Sequence, residues 1–190
     1  YKFSMDARDE EQTADLFKTI ERDIGALDLV IFNVGGNVHF PILETTSRVF
    51  RKVWEMACFA GFLTGREAAR YMVPRGRGKV FFTGASASLR GKSGYSAFAA
   101  GKAGLRMVAQ SMARELGPQN IHVAHLIIDA AVDTDFIRER FKAQGKDPDR
   151  LPEDSLMNPS SVAEAYWSLY HQRKDGWSHE LDLRPFSETW

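Results

Sequence analysis

Cysteine is almost missing from this chain. Its 190 residues include one, Cys58, which excludes an internal disulfide framework and suits a reducing compartment such as the cytoplasm. No charge of one sign prevails: 25 Lys and Arg balance 25 Asp and Glu, for a formal net charge of zero. The footprint expected of a nucleic-acid or anionic-membrane binder is therefore lacking. No apolar run approaches the roughly 20 residues that cross a bilayer. There is no internal repeat and no low-complexity segment. Trp54, Trp167, Trp177 and Trp190 lack a regular spacing for stacking bases. His122 and His125 stand three apart in a run that reads as a strand, so they point to opposite faces and cannot share a metal. Gly76-Arg-Gly-Lys79 lacks the spacing of a phosphate-binding loop. The chain opens at Tyr1 rather than Met, inside what reads as a strand, so Tyr1 is not expected to be the native start.

What is there is an ordinary globular composition, 44% hydrophobic and 26% charged, over a length suited to a single domain, residues 1–190. Strand and helix signals alternate. Tyr1–Met5 reads as a strand. Asp9 with Gln12 reads as a capping box for a helix carrying Ala14, Leu16, Phe17, Ile20 and Ile24 and stopping at Gly25. Residues 28–33 form a short apolar run that fits a strand buried on both faces. Thr45 or Thr46 caps a long helix reaching about Met72, with Cys58 among its apolar and small residues as core. Val80–Thr83 is the next buried strand. A helix spans Tyr95–Leu116 and stops at Gly117-Pro118. Ile121–Ile128 is a strand, 134–144 an amphipathic helix and 147–159 a loop. Ser160 or Ser161 caps a helix to about Gln172, and Glu180–Leu183 is a last short strand. Such alternation predicts an α/β fold: a doubly wound parallel sheet, Rossmann-like, with ligands at the carboxyl ends of the strands. The turns after Asn33, Thr83 and Ile128 lie there.

Those turns carry a family pattern. Asn33-Val-Gly-Gly36 resembles an Asn-Asn-Ala-Gly turn, and Phe98-Ala-Ala-Gly-Lys102 resembles Tyr-x-x-x-Lys. Asp129-Ala-Ala-Val-Asp-Thr134 resembles Pro-Gly-x-x-x-Thr, and Asp6-Ala-Arg-Asp9 resembles the acidic turn that meets an adenine ring. In order and spacing the chain resembles the short-chain dehydrogenase/reductase family over essentially its whole length, in an atypical subgroup with Phe for the tyrosine. Two departures stand out. The family's opening strand, Gly-rich turn and helix, which hold the cofactor pyrophosphate, are not in this sequence. They amount to about 60 residues, so the domain reads as N-terminally incomplete; the other reading is a complete chain that binds a dinucleotide poorly. The working set of Asn, Ser, Tyr and Lys falls on Ala57, Ala85, Phe98 and Lys102. Only the lysine matches.

The resemblance implies NAD or NADP as cofactor, undecided because the deciding second strand is not in the sequence. It implies contacts from Asp6, Ala7, Asn33, Val34, Gly35, Thr83, Phe98, Lys102, Val132 and Thr134. Lys102 is expected to hold the nicotinamide ribose, or else to be a solvated lysine. Thr134 is expected to bind the carboxamide, to cap the following helix, or both. Asn33 and Gly35 let the backbone approach the adenosine ribose, or form a plain turn. Asp6 accepts from the adenine amino group, or forms a turn. Phe98 has no hydroxyl to give, and a placed proton donor contributes about 10²–10⁴ in rate. Three substitutes suggest themselves. Tyr95, one turn back on the same helix face, is a proton source or a surface tyrosine. Ser86, or Ser88 beside it, turns inward or merely forms a turn. Asp129 is an acid with a raised pKa or a carboxylate accepting turn amides. The expected function is an oxidoreductase acting on a small carbonyl, alcohol or enoyl molecule. The alternative is a catalytically silent dinucleotide-binding sensor or partner subunit. The resemblance also implies a homodimer or homotetramer; neither nucleic acid nor membrane is expected as partner.

Overall fold

The fold is described from a computed structural model, for residues 1–188. Helix α1 spans Glu10–Asp23, strand β1 Leu29–Phe32, α2 Ser47–Trp54 and α3 Ala60–Met72. Strand β2 spans Gly78–Thr83, α4 Ser96–Leu116, β3 Ile121–Ile128, α5 Asp135–Ala143, α6 Pro159–His171 and β4 Glu180–Leu183. The four strands lie in the order β1-β2-β3-β4, all parallel. Parallel pairing puts the ends at Phe32, Thr83, Ile128 and Leu183 along one rim.

Alternation of side chains divides the core between the two faces of the sheet. Phe32, Val80, Phe82, Ile121 and Val123 pack with Ala60, Ala68 and Met72 of α3, Leu105 and Ala109 of α4 and Phe17 of α1. On the other face Phe81 and Ala124 meet Leu169, Tyr166 and Tyr170 of α6. Helices thus cover both faces, the doubly wound Rossmann-like arrangement that strand–helix alternation implies. Among the described residues, no helix is long and apolar enough to cross a membrane.

Local chemistry explains the element boundaries and corrects some expectations. Asp9 caps α1, its Oδ1 accepting from Gln12 N at 3.0 Å. The return contact of the capping box shifts, since the Gln12 Oε1 accepts from Asp6 N at 3.0 Å while Asp9 N is taken by Asp6 O. Tyr1–Met5 is not a strand. A strand needs a neighbour for its N–H and C=O groups, and none of the four strands pairs with it. The long helix capped by Thr46 is interrupted at Glu55–Phe59 by a π-helical turn between α2 and α3. There Ala57 meets Gly101 of α4 so closely that a Cβ on the glycine would lie 2.8 Å from the alanine Cβ. Helix α6 is capped by Asn158, not by Ser160 or Ser161, its Oδ1 accepting from Ser160 N at 2.8 Å. Pro159 at the first helical position explains the earlier start, because its missing N–H needs no partner there.

Phe82 is fully buried between β2 and the helices, whereas Ile31 on β1 is 40% exposed. Phe82→Ala is expected to lower the unfolding free energy by about 3–5 kcal/mol in urea titrations. Ile31→Ala is expected to cost well under half of that. Equal losses at the two positions would contradict this assignment of the core.

Candidate functional site

The rim of the sheet opens into a cavity of about 590 Å³. The ends of β1 and β2 contribute Asn33, Val34, Gly35 and Thr83 to it. Helix α4 contributes Phe98 and Lys102, the segment after β3 Val132 and Thr134, and α6 Tyr166. Eight of the ten expected cofactor residues thus meet in one crevice. The remaining two, Asp6 and Ala7, do not line it. Asp6 is engaged by Arg8 at 2.6 and 2.9 Å, and that contact holds its carboxyl down at about 2. Ala7 packs against the larger core cluster.

Lys102 is 4% exposed. Four residues after Phe98 on α4, it shares that ring's helix face. Its Nζ donates to the Thr83 carbonyl at 2.7 Å and reaches the Val34 carbonyl at 3.5 Å. Burial disfavours the charged form and brings the ammonium down to about 8. Phe98 is buried as well, in a cluster with Val53 and Ala97 against which Val38, Ala85 and Tyr95 pack. Ala57, at the position of the family asparagine, is fully buried in the π turn. The polar partners of the ammonium are thus backbone carbonyls.

A second cavity of about 550 Å³ shares Phe98 and Ala85 with the first. Ser86, Arg90, Tyr95, Asp129 and Glu188 line it. Of the side chains expected to replace a tyrosine hydroxyl, Tyr95, Ser86 and Asp129 line this cavity with Phe98 and Ser88 does not, and their surroundings differ. The Tyr95 hydroxyl accepts from Arg140 Nη2 of α5 at 3.0 Å, and the ring meets His39 edge-on at 5.0 Å. Asp129 is 2% exposed, and its two oxygens accept from Arg90 Nη2 at 3.0 and 3.3 Å. Ser86 opens a single 3₁₀ turn that ends at Ser88. Ser88 is the serine that turns inward, its Oγ accepting from Ala85 N at 3.1 Å. Thr134 caps α5, accepting from Ile137 N at 3.4 Å, while its hydroxyl donates to Val132 O at 3.4 Å.

Two features escaped the sequence reading. Tyr166 enters the crevice from α6, its hydroxyl 2.6 Å from Thr83 Oγ1. Val162, Ala163 and Tyr166 are spaced as one helix face, but nothing local ties that face to Thr83. Beneath the loop at 84–88 runs a polar chain. His125 Nε2 lies 3.5 Å from Ser88 Oγ, His125 Nδ1 lies 3.1 Å from Glu180, and Arg106 grips that carboxylate with two contacts of 2.7 Å. Nothing in the spacing of residues 88, 106, 125 and 180 announces it. His122 is buried on the opposite face, stacked on Trp177 at 4.8 Å. Among the described residues no group of three or more His, Cys, Asp or Glu is placed to hold a metal.

A family profile described as short chain dehydrogenase matches residues 1–145. The chain belongs to the short-chain dehydrogenase family. It is 34% identical, over 65% of its length, to 2-dehydro-3-deoxy-D-gluconate 5-dehydrogenase of Formosa agariphila, covering 46% of that protein. It is 28% identical, over 63% of its length, to gluconate 5-dehydrogenase of Gluconobacter oxydans, again covering 46%. The chain spans about half the length of these curated relatives. Among solved structures, a short-chain dehydrogenase from Rhodopseudomonas palustris is 52% identical with a TM-score of 0.79, covering 97% of this chain and 74% of that one. A serine dehydrogenase complexed with NADP+ superposes at a TM-score of 0.88, over 100% of this chain and 77% of that one, at 18% identity. That last likeness is one of fold. In this family member the buried lysine stands with a phenylalanine four residues before it and an alanine at position 85.

The buried imidazole makes stability depend on pH. Burial lowers His125 from 6.5 to about 4. The unfolded chain therefore binds a proton that the folded chain refuses, and stability is lost as pH falls from 6.5 towards 4. At 1.36 kcal/mol per unit the full loss is roughly 3 kcal/mol. Urea midpoints are expected to drop between pH 7 and 5, above the range where Glu180 titrates, and His125→Gln to flatten that drop. An unchanged slope in the variant would assign the pH dependence elsewhere.

Proposed function

We propose that the chain forms the nicotinamide and substrate part of an NAD(P)-dependent oxidoreductase. It moves a hydride to or from a small carbonyl, alcohol or enoyl substrate and uses a proton donor other than the usual tyrosine. We read residues 1–190 as belonging to a single Rossmann-like domain of a cytoplasmic protein. The observation that carries the reading is Lys102, a buried ammonium in the same crevice as Asn33, Thr83 and Thr134.

That donor set fits the sugar and nicotinamide half of a dinucleotide. An ammonium beside backbone carbonyls suits a sugar diol, and the apolar wall of Phe98 and Val34 suits a flat ring. When bound, the nicotinamide supplies or takes up the hydride. The chain's own residues do the rest. Lys102 binds the ribose hydroxyls, Thr134 orients the carboxamide, and Phe98 excludes water from the reacting face. The proton passes through a group lining the neighbouring cavity, among which Tyr95, Ser86 and Asp129 stand beside Phe98. A weakened proton step favours substrates that need no strong carbonyl acid.

A second reading is a catalytically silent nucleotide-binding protein, serving as a sensor or partner subunit. Phe98, Ala85 and Ala57 favour it, since together they remove every family group of the reaction centre except the lysine. Turnover separates the two. The enzyme reading expects sustained NAD(P)H oxidation with some member of a broad carbonyl and enoyl panel, abolished by Lys102→Ala. It also expects Phe98→Tyr to raise the rate, by up to about 10²–10⁴ if the pocket is otherwise assembled. Tight cofactor binding with no turnover on any substrate, in both proteins, would decide for the sensor.

We further propose a homodimer or homotetramer joined through the helices flanking the site. Phe50 and Trp54 of α2, Phe62 of α3 and Met107 of α4 are 39–48% exposed, an unusual apolar share for a free surface. Light scattering at micromolar concentration is expected to give a multiple of the subunit mass. A monomer would defeat the proposal.

A further inference from the structure

Helix α6 lies on the face of the sheet opposite α4, yet its Pro159, Val162, Ala163 and Tyr166 line the crevice. The Tyr166 ring stacks on Phe81 of β2, with centroids 6.2 Å apart and planes 16° from parallel. This directs the phenol along β2 to its last residue, where the hydroxyl lies 2.6 Å from Thr83 Oγ1. Thr83 is also the residue whose carbonyl receives the Lys102 ammonium at 2.7 Å. One residue thus joins the two faces, its side chain held from α6 and its carbonyl holding α4. Past Thr83 the strand has ended, and Gly84 N bonds Leu126 O at 2.7 Å as the chain turns into the loop. Without Tyr166 the terminal residue of β2 would be held by backbone bonds alone.

We propose that Tyr166 is a positioning residue, which by clamping Thr83 fixes the carbonyl on which the Lys102 ammonium rests. Two further observations support it. The phenol is buried enough to be pushed up to about 12, so it remains a neutral hydrogen-bonding group across the working range. Tyr166 and Lys102 also line the same cavity, so loosening one lets water reach the other. The consequence for the lysine follows from geometry alone. Any consequence for nucleotide affinity rests on the functional reading given above.

The test reads the lysine directly, in the whole protein and without substrate. The pH dependence of Lys102 acetylation by acetic anhydride, followed by peptide mass spectrometry, gives the midpoint of its titration. Burial sets that midpoint near 8 in the unaltered chain. His125, which feels the lysine's charge, is neutral in this range and does not contribute. Tyr166→Phe keeps the ring on Phe81 and removes only the hydroxyl. It is expected to raise the midpoint by about half a unit or more as the ammonium becomes better solvated. Thr83→Val is expected to do the same, and the double variant to add nothing, as two ends of one contact should. Thr83→Ser, which keeps the hydroxyl, is expected to retain the original midpoint. An unmoved midpoint in Tyr166→Phe overturns the proposal, as does a stability loss with no change in titration, which would make Tyr166 mere packing. Additive shifts in the double variant overturn it too. So does an ordinary lysine midpoint in the unaltered chain, which would leave nothing to position. Cofactor titration of the same variants reports on the functional reading separately. Absent binding with a shifted midpoint would sink that reading and leave this one standing.

Discussion

An ammonium taken out of water must find oxygen elsewhere, and the Lys102 contact with the Thr83 carbonyl answers that demand. The rest of the crevice is arranged around it. Helix α4 must lie against β2 at the height that brings residue 102 to the end of the strand. Gly101, immediately before the lysine, permits this by leaving room for Ala57. Val34 adds a second, longer contact from the end of β1. Three elements from distant parts of the chain therefore meet at one nitrogen. Burial without a carboxylate partner explains why the group is held below an ordinary lysine. An ion pair would have held it up instead.

Phe98, Ala85 and Ala57 look like separate losses when set against the family pattern, but they share a physical effect. Each is apolar, and each is buried or packed into the cluster around Phe98. A lone polar survivor of such a set would be costly to bury. Three apolar side chains together avoid that cost. Tyr95, Ser86 and Asp129 line the neighbouring cavity, which Phe98 shares. Asp129 there is already held by Arg90 in a contact to both oxygens.

The sheet was legible because its signals are local. Residues 80–83 and 121–128 are short apolar runs between turns and lie in buried strands, whereas the run at 28–33 forms a strand over 29–32 that is not buried on both faces, because it is the sheet edge and leaves Ile31 40% exposed. The caps at Asp9, Thr46 and Thr134 could be read for the same reason, since a capping residue acts within three positions. Tyr1–Met5 carries a strand's composition too, but a strand also depends on a neighbour, and composition does not supply one. At the site, Lys102 and the turn at 33–35 could be placed because the family resemblance rests on residues of a single helix and a single loop. Tyr166 could not, because its partner Thr83 is 83 positions away and the contact depends on how α6 crosses the sheet.

The polar chain from Ser88 to Arg106 shows what this tertiary dependence accomplishes. The loop after β2 cannot be held by apolar packing alone, because its backbone must remain open to the cavities. Ser88 ties it down by accepting the Ala85 N–H, and His125 lies under it so closely that a Cβ on Gly84 would meet the ring at 2.4 Å. Only glycine fits there. His125 in turn leans on Glu180, and Glu180 on the Arg106 fork, so loop, sheet and α4 are joined through one buried imidazole. Because burial keeps that imidazole neutral until strongly acid pH, the loop keeps its anchor over the range in which Lys102 titrates. Lys102 and His125 thus change charge in separate pH ranges, which lets the ammonium gain or lose its proton without loosening the floor beneath the crevice.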